Sequence, residues 1–253
     1  MIKESLKQAA YKFPATYRMY LHRRGFKPKD IPNAPWHNAV LNNDLELAQC
    51  DEQVKNLKIM PHYDRTKNWD TLAMLDCILR NTKRDGVILD AGAEMYSSLL
   101  QNLFLYGYEN LFGLNLEFGK SFNRGPIRYE HGDLTKTRFA NESFDAISCQ
   151  SVIEHGVDVK DYFREMSRLL KPNGHLITST DYYVDPIDTL DKQYFGVPVK
   201  VFTKSEMVEI LDIASQFRLV NDGTPLNLEC TEKPIHWIGL NYTFIIFTLR
   251  KIA

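Results

Sequence analysis

The sequence predicts an α/β fold: a seven-stranded, mainly parallel sheet with helices on both faces and a helical extension ahead of it. Two patterns carry this. Short apolar runs rich in Val and Ile recur along the chain, each ending in a small or polar turn, as buried strands do. Between most of them lie stretches with apolar residues at helical spacing, and that alternation builds a parallel sheet covered by helices.

The chain opens on a basic segment. In residues 1–30, eight Lys/Arg (Lys3, Lys7, Lys12, Arg18, Arg23, Arg24, Lys27, Lys29) stand against Glu4 and Asp30, with Tyr11, Phe13, Tyr17, Tyr20 and Phe26 interleaved. This reads as a solvated arm or as a patch for an anionic, phosphorylated or membrane-linked substrate. Pro28, Pro32 and Pro35 mark a turn-rich connector to Trp36. Leu47, Cys50, Val54 and Leu57 then predict an amphipathic helix from Asn43 to about Lys58. Pro61 to Asp70 is a polar, aromatic loop, and Leu72, Leu75, Ile78 and Leu79 form the inner face of a second helix ending at Asp85-Gly86. Such leading helices are placed to cover a ligand, which makes Lys67, Trp69 and Asp70 candidates for a pocket wall; helix capping explains Asn68 and Asp70 equally well. The predicted division is residues 1–66 as basic arm and helical cap, and 67–253 as the sheet domain.

The sheet domain begins with Val87-Ile88-Leu89-Asp90-Ala91-Gly92-Ala93-Glu94, a buried strand and a small-residue turn, followed by a helix over Ser97 to Tyr106. Strand, tight turn and helix is a nucleotide-binding unit or simple packing; in the first case the ligand sits at the carboxyl end of the strand. Further strands are predicted at Asn110–Leu116, Ile127–His131, Phe144–Gln150 and His175–Thr180. The helix marked by Tyr162, Phe163, Met166, Leu169 and Leu170 stops at Lys171-Pro172-Asn173-Gly174. Thr203-Lys204-Ser205-Glu206 is a capping box stapled by Phe202 and Met207, and its helix presents Met207, Ile210, Leu211 and Ala214. Strands at Phe217–Val220 and Tyr242–Lys251 close the chain. Asp181 to Pro198, rich in Tyr, Asp and Pro, is long for a connector and reads as a lid.

Composition narrows the function. A net charge of -1 gives no general case for nucleic acid. No apolar run is long enough to span a membrane, and the first residues lack the apolar core of a secretory signal, so a cytoplasmic protein is expected, with peripheral membrane contact through the arm left open. Cys50, Cys77, Cys149 and Cys230 are scattered without a CxxC pair, which predicts buried thiols, not a metal site or a disulfide framework.

Five motifs fall in order: Asp-x-Gly after the first sheet strand, Gly132-Asp133-Leu134 after the third, Phe144-Asp145-Ala146-Ile147 in the fourth, Val152-Ile153-Glu154-His155 after it, and Leu169-Leu170-Lys171-Pro172-Asn173-Gly174 before the fifth. Together they resemble the class I S-adenosylmethionine-dependent methyltransferases over roughly Asn68 to Ala253. The resemblance implies a Rossmann-like sheet whose last strand returns antiparallel between its two predecessors, with S-adenosylmethionine as cofactor and S-adenosylhomocysteine as product. It implies roles residue by residue. Asp90 would hold the methionine ammonium, directly or through water, with Gly92 and Ala93 letting the backbone approach. Asn115 stands where the ribose hydroxyls are bound, and Asp133 with the Leu134 amide where adenine is recognised. Gln150 and Ser151 lie next to the adenosine and sulfonium. Leu116 reads as core or as a wall of the adenosine site.

The sequence departs from the family twice. Glu94 and Tyr96 replace later glycines of the loop, and Glu94 is placed to pair with the ammonium. Asn115 is a neutral amide where an acid is usual, so the ribose contact loses its charge-assisted part unless Glu117 supplies it. For catalysis, His155 and Asp181 are rival bases, the first because an unperturbed imidazole titrates near neutrality. Glu-His at this place also serves to fix the loop. Trp69, Tyr182, Tyr183, Asp185 and Asp188 are the candidate acceptor contacts.

The Asn-Pro-Pro-Tyr motif of DNA amino methyltransferases and the paired-Glu loop of protein arginine methyltransferases are missing, so a small-molecule acceptor is expected. The Val-Ile-Glu-His-Gly, Ser-Thr-Asp-Tyr-Tyr and Tyr-Phe-Gly segments look similar to methyltransferases encoded with bacterial surface-glycan genes. That implies O-methylation of a sugar, nucleotide-sugar or phosphate-bearing glycan precursor, such as a capsule component. Two other classes stay open: a cofactor-fold binding or partner protein without catalysis, and a methyltransferase for another small molecule. A nicotinamide oxidoreductase is disfavoured, because Ala93-Glu94-Met95-Tyr96 lacks its glycine fingerprint.

Overall fold

The computed structural model describes residues 11–194 and 196–252. Lys3 and Lys7 of the basic arm, the opening residues read for a secretory signal, and Phe195 of the Tyr-Phe-Gly segment lie outside them.

Helix α1 (Pro14–Arg23) leads into β1 (Ala39–Val40), α2 (Asp44–Leu57), a 3-10 turn at Arg65–Lys67 and α3 (Asn68–Asn81). The sheet domain then runs β2 (Ile88–Ala91), α4 (Leu99–Leu105), β3 (Leu111–Asn115), β4 (Phe122–Arg124), β5 (Ile127–His131), β6 (Phe144–Gln150), α5 (Val159–Leu169) and β7 (Leu170–Tyr182). A small hairpin of β8 (Gln193–Tyr194) and β9 (Val197–Pro198) precedes α6 (Lys204–Gln216), β10 (Leu219–Asn221), β11 (Ile235–Trp237) and β12 (Leu240–Lys251).

Strand order is β1-β12-β7-β6-β2-β3-β5-β4, with β10 and β11 also paired to β12. The pairs β3–β5, β2–β3, β2–β6 and β6–β7 are parallel, and β12 lies antiparallel to β7. This is the predicted mixed, mainly parallel architecture with a reversed last strand. Its count differs from the expected seven because β1, β4 and β11 contain two or three residues each, too few to show a period of two.

Alternating strand residues feed two cores. Ile88, Ala146, Ile177, Phe244 and Ile246 pack with Trp69, Leu72, Leu75, Ile78, Leu103 and Phe104 from α3 and α4. Leu89, Ile147, Leu176, Ile245 and Phe247 pack on the opposite face with Tyr162, Phe163 and Met166 of α5 and Met207 and Ile210 of α6. The N-termini of α2 and α6 follow their sequence signals. Asn43 Oδ1 accepts from Glu46 N at 3.1 Å, and the Thr203–Glu206 capping box is present in both directions. The second leading helix ends earlier than the expected Asp85-Gly86: Thr82 is extended, and its Oγ1 donates to Ile78 O at 2.8 Å.

The basic arm is not wholly solvated. Tyr17 and Leu21 of α1 are buried, Tyr17 stacks on Phe104 with centroids 5.5 Å apart, and Arg18 lies 4.2 Å over the same ring. All four cysteines are buried thiols. Among the described residues no helix is long and apolar enough to cross a membrane.

Candidate active site

Because β2, β3, β5, β6 and β7 run parallel, the loops at their carboxyl ends converge, and there they enclose a cavity of about 650 Å³. That size suits a cofactor together with a small acceptor. Asp90, Gly92, Ala93, Glu94, Asn115, Leu116, Asp133, Leu134, Gln150, Ser151, His155 and Asp181 all line it. So do Lys67 and residues of the loop ahead of α3, and the far wall is made by Tyr194, Val197, Trp237, Tyr242 and Phe244.

One side of the cavity is acidic. Asp90 is 2% exposed, accepts from Ser148 Oγ at 2.9 Å, and burial, with Glu94 adding repulsion, pushes its carboxyl up to about 7. Gly92 has φ +93, and a Cβ there would stand 2.3 Å from Val152 Cγ2. The close approach that requires glycine is thus made by the chain's own Val152. Asp133 Oδ1 accepts from Thr135 N at 2.8 Å and from Thr135 Oγ1 at 2.7 Å, an Asx turn that fixes the Gly-Asp-Leu loop.

Asn115 lines the cavity with its amide engaged by neighbouring loops. Its Nδ2 donates to Ala93 O at 3.0 Å and Glu94 Oε1 at 3.1 Å, and its Oδ1 accepts from Glu117 N at 2.8 Å. The amide is spent on holding the Ala93-Glu94 loop, which leaves the Glu117 carboxylate on the same cavity wall to meet hydroxyl donors. Gln150 is likewise occupied: its Nε2 donates to Asp70 Oδ1 at 2.7 Å and Thr71 Oγ1 at 2.8 Å, tying α3 to the end of β6.

The other end of the cavity holds a buried charge cluster. Lys67 Nζ donates to Ser151 Oγ, lies 3.2 Å above the Phe244 ring, and is 3.9 Å from Asp70 Oδ2. Asp70 is fully buried, and its second oxygen accepts from Ser179 Oγ at 2.8 Å. Glu154 and Asp181, 1% and 4% exposed, face the same space. Burial holds both carboxyls above their ordinary range and Glu154 raises Asp181 further, while Lys67 opposes the rise in each. The Tyr242 phenol hydrogen-bonds to Asp181 and is itself raised, chiefly by burial. Ser151, at the turn out of β6, has φ +50, a conformation few non-glycine residues adopt.

His155 does not have the neutral-range imidazole expected of a base. Burial, then the Lys67 charge, lowers it to about 4, so it is uncharged and weakly basic at physiological pH. The five expected acceptor contacts do not line the cavity. Trp69 is 1% exposed within the α3 core; Tyr182 is fully buried, its hydroxyl donating to Leu228 O at 2.5 Å. Tyr183 donates to Thr231 O at 3.4 Å, and Asp185 is exposed, as is Asp188. Strand alternation explains Tyr182, which follows Asp181 and packs in the core on the opposite face of the sheet, whereas Trp69 packs in the core beneath α3. The lid region instead contributes Tyr194 and Val197 of the β8–β9 hairpin, with Val197 packed at Gly156. Tyr194, Trp237, Tyr242 and Phe244 had no sequence signal as site residues, because they enter from three strands far from the motifs in sequence, and Glu154 was marked only as part of the Val-Ile-Glu-His motif.

The wall fits S-adenosylmethionine chemically. Asp90, Glu94, Glu117 and Asp133 set carboxylates along one side, and that molecule presents an ammonium, a sulfonium, ribose hydroxyls and an exocyclic amine, each cationic or a donor.

Residues 91–178 match the family described as a methyltransferase domain. The chain is 32% identical over 66 residues to the uncharacterized methyltransferase YcgJ of Bacillus subtilis, covering 26% of each chain. It is 25% identical over 212 residues to phosphoethanolamine N-methyltransferase 2 of Caenorhabditis elegans, covering 83% of this chain and 45% of that one. The chain therefore spans less than half the length of the curated relatives it matches. In structure it resembles the geranyl diphosphate C-methyltransferase of Streptomyces coelicolor, solved with S-adenosyl-L-homocysteine, at a TM-score of 0.54 and 13% identity over 93% of this chain and 98% of that one.

Proposed function

We propose that this chain, with its match to a methyltransferase domain and its fold, is a class I S-adenosylmethionine-dependent methyltransferase and that it methylates a hydroxyl of a small polar acceptor, first among them a sugar or nucleotide-sugar precursor of a surface glycan. The observation that carries the acceptor chemistry is Asp181, a buried carboxyl that burial and the neighbouring Glu154 hold above the ordinary carboxylate range, in the same cavity. A hydroxyl is a weak nucleophile while protonated, and a carboxylate more basic than usual is suited to take its proton.

When bound, S-adenosylmethionine supplies a methyl carbon already activated by its sulfonium. Asp90 would hold the ammonium, Glu117 the ribose hydroxyls, and Asp133 with the Leu134 backbone the adenine. Asp181 would receive the proton of the acceptor hydroxyl. Lys67 favours the ionised forms of the buried carboxyls, and the aromatic wall of Tyr194, Trp237 and Phe244 would exclude water from the reacting centre.

The test is an acceptor screen with methyl-labelled cofactor over nucleotide sugars, phosphorylated sugars and phosphoethanolamine. Labelled methyl ether on a sugar is expected. Label on nitrogen alone would favour the second reading, an amine acceptor, which the Caenorhabditis elegans relative's name motivates.

A further inference from the structure

One oxygen in the charge cluster has no partner. Glu154 is 1% exposed and lines the cavity; its Oε2 accepts from Thr180 Oγ1 at 2.9 Å, whereas Oε1 is buried without a hydrogen bond. A carboxyl oxygen removed from water and left unpaired is unfavourable, and native structures retain such an atom where a ligand completes it. The neighbouring carboxylates are not in that state. Asp70 is bonded on both oxygens by Gln150 and Ser179, and Asp181 has Tyr242.

Two further features narrow the ligand. Trp237 and Tyr194 meet edge to face with centroids 4.7 Å apart, and both line the cavity. Aromatic faces of this kind pack against the C–H face of a pyranose ring while carboxyls at the ring's edge take its hydroxyls. Lys67, the cation among these groups, is already held by Ser151, Asp70 and Phe244.

We propose that Glu154 selects the acceptor: its Oε1 accepts a hydrogen bond from the hydroxyl adjacent to the one that is methylated, so the substrate carries a vicinal diol on a sugar ring. This rests on the hydroxyl-transfer reading above. Asp181 removes one proton, and Glu154 accepts a hydrogen bond without taking the second. The same pair explains why an isolated alcohol is a poor substrate: it leaves Glu154 Oε1 buried and unpaired in the complex.

The experiment uses the full chain loaded with S-adenosylhomocysteine and follows binding of methyl glucoside, galactoside and mannoside, and of their monodeoxy analogues, by saturation-transfer NMR titration. At least one pyranoside is expected to bind, with a loss of roughly tenfold or more on removing one hydroxyl of the diol. Glu154→Met, which keeps the length but removes the acceptor oxygen, is expected to erase that discrimination while binding S-adenosylhomocysteine as the parent does. Equal binding of diol and deoxy sugar, or no pyranoside binding, overturns the inference; so does Glu154-dependent binding of phosphoethanolamine in their place. If the variant fails to fold, the deoxy comparison on the parent protein decides alone. The labelled-methyl assay run alongside separates the two claims. Methyl transfer to hydroxyls without diol preference sinks only the role of Glu154. Glu154-dependent diol binding with no methyl ether formed sinks the hydroxyl-transfer reading.

Discussion

The two ends of the cavity are built by opposite means. The wall assigned to the cofactor is local: Asp90, Gly92, Asn115 and Asp133 each sit within a few residues of a strand end, and Asn115 and Asp133 each accept from a backbone N–H two residues on. The acceptor end is assembled from afar. Lys67 precedes α3, Glu154 follows β6, Asp181 ends β7 and Tyr242 and Phe244 begin β12, and the cluster exists only once the sheet is complete. The first kind of site depends on turn geometry, the second on burial and charge. Substitutions should therefore separate them.

The largest effect is expected at Asp181. Asp181→Asn keeps the Tyr242 contact but removes the base, and should lower kcat by about 10²–10⁴-fold. S-adenosylhomocysteine affinity should stay unchanged. Steady-state kinetics with any acceptor from the screen would show this, and a normal kcat would remove Asp181 from the mechanism.

Gly92→Ala comes next, and it strikes the cofactor end through packing. The strained φ and the contact with Val152 Cγ2 should destabilise the fold by about 1–3 kcal/mol, a fall in Tm of several degrees by thermal denaturation. An unchanged Tm would mean the loop relaxes freely.

Lys67→Met tests the charge cluster by pH. Lys67 lowers both Glu154 and Asp181, so its loss raises them and leaves less ionised base at a given pH. The ascending limb of the kcat profile should move to higher pH. A limb that stays in place would separate Lys67 from the base.

The smallest effect concerns Asp90, whose carboxyl stands at about 7. Its protonated form is favoured in the folded chain, so its contribution to stability is present below about pH 4 and lost as the pH rises through 7. Binding the cofactor's ammonium favours the ionised form. Titrations at pH 6 in buffers of different ionisation enthalpy should show proton release, which Asp90→Asn abolishes.

The same contrast explains what the sequence made legible. Strand-turn-helix at Asp90–Glu94 and the capping box at Thr203 are local signals, and the structure places them as read. The bond from Asn115 to Glu94 was not legible, because the carboxylate comes from another strand's loop. His155 was expected to titrate near neutrality, but burial and Lys67 are tertiary facts no spacing reveals. Trp69 and Tyr182 are aromatic residues beside true cavity residues, and only the direction of the side chain tells core from wall.

The most direct test of a cavity divided into cofactor and acceptor ends is calorimetric titration of S-adenosylhomocysteine into the parent protein, Asp133→Ala and Asp181→Asn. The account predicts roughly tenfold or greater loss of affinity for Asp133→Ala and parent-like binding for Asp181→Asn. Weakened binding in Asp181→Asn, or parent-like binding in Asp133→Ala, would contradict it.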